Sequence, residues 1–172
     1  MHHVPSFSSI ATLLGLAFAA SAQGADPPIL KSGLWEVLRT STQQPERKIQ
    51  TMMCLDDSVQ AQMRDFGMGA AKEMCAQTVP SIEGNRMTVT ATCKLGQTTL
   101  KSSAVTTFNG NTSYHMDSSA TYDPPLGTMK DMKMSIDAKW VGACKPGQQP
   151  GDITLETGQT VNVKQMMGNK KQ

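Results

Sequence analysis

The side chains best placed to do chemistry in this chain are sulfur donors. Met129, Met132 and Met134 follow one another at spacings that suit Cu(I), an ion that soft thioethers favour. In an extended strand Met132 and Met134 share a face, while Met129 turns away unless a bulge intervenes; His115 or Met116 on a neighbouring strand would add a ligand. The plainer use of such methionines is to fill irregular gaps in a core. Ser113, His115 and Asp117 also share a strand face, at i, i+2 and i+4. Neighbours on that face stand about 7 Å apart, too far for the hydrogen-bonded relay of a nucleophilic enzyme, so a solvated polar face is expected. His115 is the only histidine outside residues 1–22, and a zinc site of three or four His and Cys ligands is hard to build around it. The sequence has no phosphate loop, dinucleotide fingerprint or Gly-x-Ser-x-Gly elbow. No enzymatic activity, catalytic residue or cofactor is expected.

The four cysteines carry a different chemistry. Residues 10–20 are an apolar run followed by Ala20-Ser21-Ala22, the small-x-small pattern of an export leader cleaved after Ala22. The run is shorter than the roughly 20 apolar residues of a membrane span. Its n-region offers only His2 and His3, and no cysteine follows it to carry a lipid anchor. A periplasmic, oxidising destination is therefore expected, with an uncleaved anchor as the alternative. Four cysteines allow three pairings. Cys75 and Cys93 each lie nine residues from Gly84, so a hairpin turning at Glu83-Gly84-Asn85 sets them opposite each other and Val79 opposite Val89. Cys54 and Cys144 are then left to pair, closing a loop worth up to about 4–5 kcal/mol of chain entropy. No C-x-x-C occurs, so nothing supports thiol–disulfide exchange.

The elements that must position these residues are mostly strands. After Pro27-Pro28, residues 33–41 read as a strand, Gln43-Gln44-Pro45-Glu46 as a turn, and residues 47–55 as the returning strand. Asp56-Asp57-Ser58 is a helix start ahead of Val59, Met63 and Phe66, and Gly67 and Gly69 are expected to end that short helix. From Cys75 the hydrophobic period becomes two. Met87, Val89, Ala91 and Cys93 alternate with polar residues, and Leu100 to Phe108 continues the pattern. Asn109-Gly110-Asn111 is a tight hairpin turn. Thr112 to Tyr122 returns, Asp123-Pro124-Pro125-Leu126-Gly127 makes a wider connection, and Met132, Met134, Ile136, Ala138 and Trp140 form the clearest amphipathic strand. Ile153 to Leu155 and Thr160 to Val163 are candidate short edge strands in a polar tail. The expected organisation is a leader at 1–22, a single β domain at 23–144 and a tail at 145–172 whose last residues are mobile. The expected fold is an all-β, up-and-down antiparallel meander curled into a lipocalin-like barrel or half-barrel with one short helix, a two-sheet sandwich being the alternative.

All 16 Lys and Arg and all 14 Asp and Glu fall after the leader, for a net charge of +2 without a basic stripe, so nucleic acid is not an expected partner. Aromatic residues are only 5% of the chain, which leaves Met, Val, Leu and Ile to build the core. Trp35 is expected to anchor that core or to wall a ligand pocket. Met87, Val89, Leu100, Met132, Met134, Ile136 and Trp140 complete the apolar stripe that would line such a pocket.

Gly33-Leu34-Trp35-Glu36-Val37, Met53-Cys54-Leu55 ahead of an acidic helix start, Cys75, Gly84 to Val89, Cys93, the Met-rich segment 129–134 and Gly142-Ala143-Cys144 occur in an order that resembles the bacterial exported family called domain of unknown function 3617. The resemblance covers roughly residues 30–144 and implies an exported, mostly β domain with two disulfides. It implies no activity and supplies no catalytic residues. The expected function is a non-catalytic binding module for a small apolar or amphipathic molecule. A ligand-free envelope interaction protein and Met-based copper handling are the alternatives.

Overall fold

The computed structural model describes residues 27–168, so the leader-like segment and the last residues of the tail lie outside it. Nine strands form: β1 (Gly33–Ser41), β2 (Gln44–Leu55), β3 (Cys75–Glu83), β4 (Arg86–Leu95), β5 (Thr98–Asn109), β6 (Ser113–Leu126), β7 (Met129–Gly142), β8 (Asp152–Thr154) and β9 (Thr160–Asn162). Two helices accompany them, α1 (Asp57–Met74) and α2 (Val163–Gly168). The strands make one antiparallel sheet in the order β3-β4-β5-β6-β7-β1-β2-β8-β9. The fold is therefore an all-β antiparallel meander in a single sheet rather than a two-sheet sandwich. The ladder does not close: β3 and β9 are its edges.

Several elements differ from their sequence reading for identifiable reasons. α1 does not end at Gly67 and Gly69 but runs for 18 residues to Met74. Each interior glycine costs about 1 kcal/mol relative to alanine, and both ends of this helix are fixed. Asp56 caps the start, its carboxylate accepting from the Val59 amide at 2.8 Å. That bond is the first cause holding the Asp56 carboxyl below its usual pKa. At the other end Cys75 follows the helix directly and is bridged to Cys93. The turn of the β3–β4 hairpin is the two-residue Gly84-Asn85, with Glu83 opposite Arg86, which moves the register by one from a turn centred on Gly84. Val89 consequently faces Pro80, and Val79 faces Thr90. A bulge between Cys75 and Gln77 brings the two cysteines back opposite each other.

The β1–β2 turn sits at Thr42-Gln43, so Pro45 falls inside β2. β6 continues through Pro124-Pro125 to Leu126, and its pairing with β7 becomes irregular between Thr121 and Leu126, where the prolines offer no N–H. The tail adds β8 and β9 beyond β2: Ile153 pairs with Met53, and the Gly151 amide donates to the Cys54 carbonyl at 2.8 Å.

The closed core gathers where α1 leaves the sheet. Trp35, Leu55, Val59 and Ala138 are between 0% and 6% exposed and are packed by Leu30, Val37, Met53, Tyr114, Trp140 and Val163. Gly33 makes this approach possible: its φ is +138°, and a Cβ there would collide with the Gly142 carbonyl and the Trp140 indole nitrogen. The two kinds of glycine give opposite expectations. Gly33→Ala should destabilise by at least about 1–3 kcal/mol from backbone strain alone. Gly67→Ala and Gly69→Ala, where an added Cβ meets nothing within 4 Å, should each stabilise by about 0.5–1 kcal/mol. Urea titrations of the three variants check both signs, and a loss of stability in the helix variants would mean that the middle of α1 is not helical.

Candidate functional site

Strand alternation divides the side chains of the sheet into two sets. Cross-strand partners run in rows: Ile49, Arg39, Ile136, Met116, Thr106, Met87 and Ile82 form one row from β2 to β3. The next row holds Ser41, Met134, Ser118, Ala104, Val89 and Pro80. These rows lie on the same side as Trp35, Ala138 and Tyr114, the side against which Val59 of α1 packs. The eight residues read as pocket-lining from the sequence all fall on it. Two of them belong to its closed end: Trp35 is 2% exposed, and Trp140 packs against the core. Both indoles hydrogen-bond to the segment before β1, Trp35 Nε1 to the Lys31 carbonyl at 2.8 Å and Trp140 Nε1 to the Ser32 carbonyl at 3.1 Å. The Lys31 ammonium lies 3.6 Å from the centroid of Trp140. Tyr114 stands between Trp35 and Phe108, with ring centroids 6.1 Å away on each side, and burial pushes its phenol pKa up.

The other six, Met87, Val89, Leu100, Met132, Met134 and Ile136, are only half-buried. Opposite them α1 carries Met63 and Phe66 on the stripe begun by Val59, 41% and 39% exposed. Glu36, His115, Asp117, Lys133, Asp137 and Lys139 occupy the intervening positions of β1, β6 and β7 on the reverse side, whereas Arg39 stands in the apolar rows. Three recesses are described, and Met134 is the only one of the eight to border one. Two of the three lie chiefly on the reverse side. One of about 490 Å³ is bordered by Thr40, Ser103, Asp117, Lys133 and Ser135, and one of about 620 Å³ by Glu36, Thr107, His115, Asp137 and Lys139.

His115 makes contacts that the sequence reading ruled out. Its Nε2 lies 3.2 Å from Asp117, because the two side chains lean toward each other across the spacing between their backbone positions. Its Nδ1 lies 2.7 Å from Asp137, its direct partner on β7, which the sequence reading missed. The alternation of Lys133, Ser135, Asp137 and Lys139 was the available signal, but only the register identifies which of them meets the imidazole. A protonated imidazole donates from both nitrogens at once, so these two carboxylates raise the His115 pKa above its usual 6.5, Asp137 first. Asp117 is held below the usual carboxylate value, first by the Ser135 hydroxyl and then by His115. His115 is thereby separated from the methionines: it lies on the reverse side, while Met116, Met132 and Met134 lie on the apolar one. Among the described residues no group of three or more His, Cys, Asp and Glu is arranged to hold a metal ion.

The structure bridges Cys54 with Cys144 and Cys75 with Cys93. Cys54 comes three residues before α1 and Cys75 immediately after it, so each end of the helix is fastened covalently to the sheet. A family model described as Protein of unknown function (DUF3617) matches residues 30–144, a span that holds all four cysteines, β1 to β7 and α1. The chain belongs to the DUF3617 family. No curated protein and no solved structure matches it. In this DUF3617 chain β8, β9 and α2 lie beyond the matched span. No helix among its described residues is long and apolar enough to cross a membrane.

The imidazole supplies a pH test of the reverse side. Because the folded pKa of His115 is raised, its stabilisation is complete below pH 6.5 and is lost as pH rises through the folded value. NMR titration should show His115 releasing its proton above pH 6.5, and Asp137→Asn should move that release back toward the usual value. A His115 midpoint unchanged by the substitution would refute the contact.

Proposed function

We propose that this DUF3617 protein is an exported, non-catalytic binding module that takes a small apolar or amphipathic molecule between the apolar sheet face and α1, with the sheet curled toward the helix as a half-barrel. The observation that carries the reading is the incomplete cover of that face. Six aliphatic and Met side chains remain half-buried across β4, β5 and β7, beneath a helix whose own apolar stripe is also partly exposed. Contiguous apolar surface of this kind marks an interaction or ligand site, and methionine adapts to varied ligand shapes.

The half-barrel is supported by the reach of α1. β2 and β3 are six strand spacings apart in the ladder, about 29 Å if the sheet were flat. The row of Leu55 runs to the Glu83 end of β3, whereas α1 delivers the chain to Cys75, eight residues and about 26 Å further along that strand. The flat diagonal is thus about 39 Å. The helix and its flanking steps span at most about 36 Å. A sheet curled toward α1 removes the difference. Two disulfides suit an oxidising compartment, in keeping with the export leader expected from residues 1–22.

Native mass spectrometry of the full chain, purified from an oxidising compartment, should show an adduct that disappears on denaturation. A lipophilic fluorophore such as N-phenyl-1-naphthylamine should bind saturably. The paired substitution Val89→Asp and Met134→Asp, on two half-buried positions, should weaken that binding at least about tenfold by placing charge on the apolar face. A clean apo mass together with no saturable probe binding would replace the reading with a ligand-free interaction protein.

A further inference from the structure

Among the described residues with a cross-strand partner on the apolar side, from β3 through β9, all are uncharged except Arg39; Lys130 and Arg47, two residues before Met132 and Ile49, stand at strand ends where the pairing has become irregular. It stands between Ile49 and Ile136, in the row that continues through Met116 and Met87. Its side chain takes part in no hydrogen bond or ion pair among the described residues, although the chain pairs other cations, Arg47 with Glu156 and Lys139 with Glu36. The alternation that sends lysines and carboxylates to the reverse side would have sent Arg39 there had it stood one position earlier or later. A guanidinium is the cation best suited to grip a carboxylate or phosphate through two parallel hydrogen bonds, and its stem packs readily along apolar neighbours.

We propose that the molecule held on this face is a single-chain amphiphile with an anionic head. Arg39 receives the carboxylate or phosphate, and the acyl chain lies along the row from Ile136 through Met116 toward Met87. This assignment rests on the binding reading given above and adds the class of ligand to it. From Arg39 to Met87 the row crosses four strand spacings, about 19 Å, room for a long acyl chain. The exposure of Arg39 keeps the head at the solvent boundary, so neither charge has to be fully dehydrated.

The test uses the full oxidised chain and displacement of N-phenyl-1-naphthylamine by oleate, oleyl lysophosphatidate and oleyl alcohol. The wild type should bind the two anions about tenfold or more tightly than the alcohol, as a charge-assisted contact requires. Arg39→Gln should remove that preference while leaving the affinity for the alcohol and for the fluorophore unchanged, and Arg39→Lys should keep part of it. Preference for one anion alone would identify the head as carboxylate or phosphate, and both results support the assignment. Equal affinity of the wild type for anions and alcohol would overturn it while leaving the binding reading in place. Equal weakening of all three ligands by Arg39→Gln would also overturn it, since that pattern belongs to a structural side chain. If none of the ligands and no fluorophore binds, the apolar-face reading falls and the assignment falls with it.

Discussion

Nineteen residues separate Leu55 from Cys75, and in that distance the chain must pass from the inner strands of the meander to one of its edges. β1 and β2 are made first in sequence but end up beyond β7, because β7 returns to pair with β1. One helix therefore has to cross everything in between. Its hold at the start is physical as well as covalent: Val59 is fully buried against Trp35, Leu55 and Ala138, Asp56 caps the first turn, and Cys54 is bridged to Cys144. Its hold at the far end is the bridge from Cys75 to Cys93. In chain-entropy accounting a loop of 90 residues such as that closed by Cys54 and Cys144 is worth about 4–5 kcal/mol, and one of 18 residues about 3 kcal/mol. Both contributions depend on an oxidising environment.

Fastening at two points explains why the middle of the helix is allowed to be poor. Gly67 and Gly69 interrupt it, and Met63, Phe66 and Met68 remain between 39% and 55% exposed. A helix stabilised mainly by its own packing could not carry this composition. The same separation of duties divides the sheet. Its aromatic end, with Trp35, Tyr114 and Phe108, supplies the rigid core, while the aliphatic and Met-rich remainder of the face is left open.

How far the sequence revealed this depended on range. Period-two alternation located β4, β5, β6 and β7, and the Asn-Gly turn between β5 and β6 placed that hairpin. Cys75 and Cys93 were found by symmetry about Gly84, although the real turn is one position off and a bulge makes the correction. The extra length of α1 was hidden because local propensity reads two glycines as a stop, whereas the anchors that override them, the burial of Val59 and the Cys75–Cys93 bridge, are tertiary. Asp137 beside His115 was hidden because the irregular β6–β7 connection conceals the register until the pairing is known. Arg39 was unremarkable in sequence: an arginine on a strand gains significance only when the rest of its row is seen to be uncharged and mostly apolar.

The edges of the ladder carry a last consequence. β2 is a strand of 12 residues, of which β8 pairs with Met52 and Met53 and Glu156 accepts from the Gln50 amide, while the half that begins at Gln44 keeps its edge open and carries Pro45. At the opposite side β3 contains Pro80, which has no amide hydrogen to offer a newcomer. Each margin is thus interrupted, by Pro80 on one side and by β8 and Pro45 on the other, which shortens the template it offers for strand addition. A sheet that leaves aliphatic side chains half-buried thus meets the risk of fibril growth with interrupted rather than continuous edges.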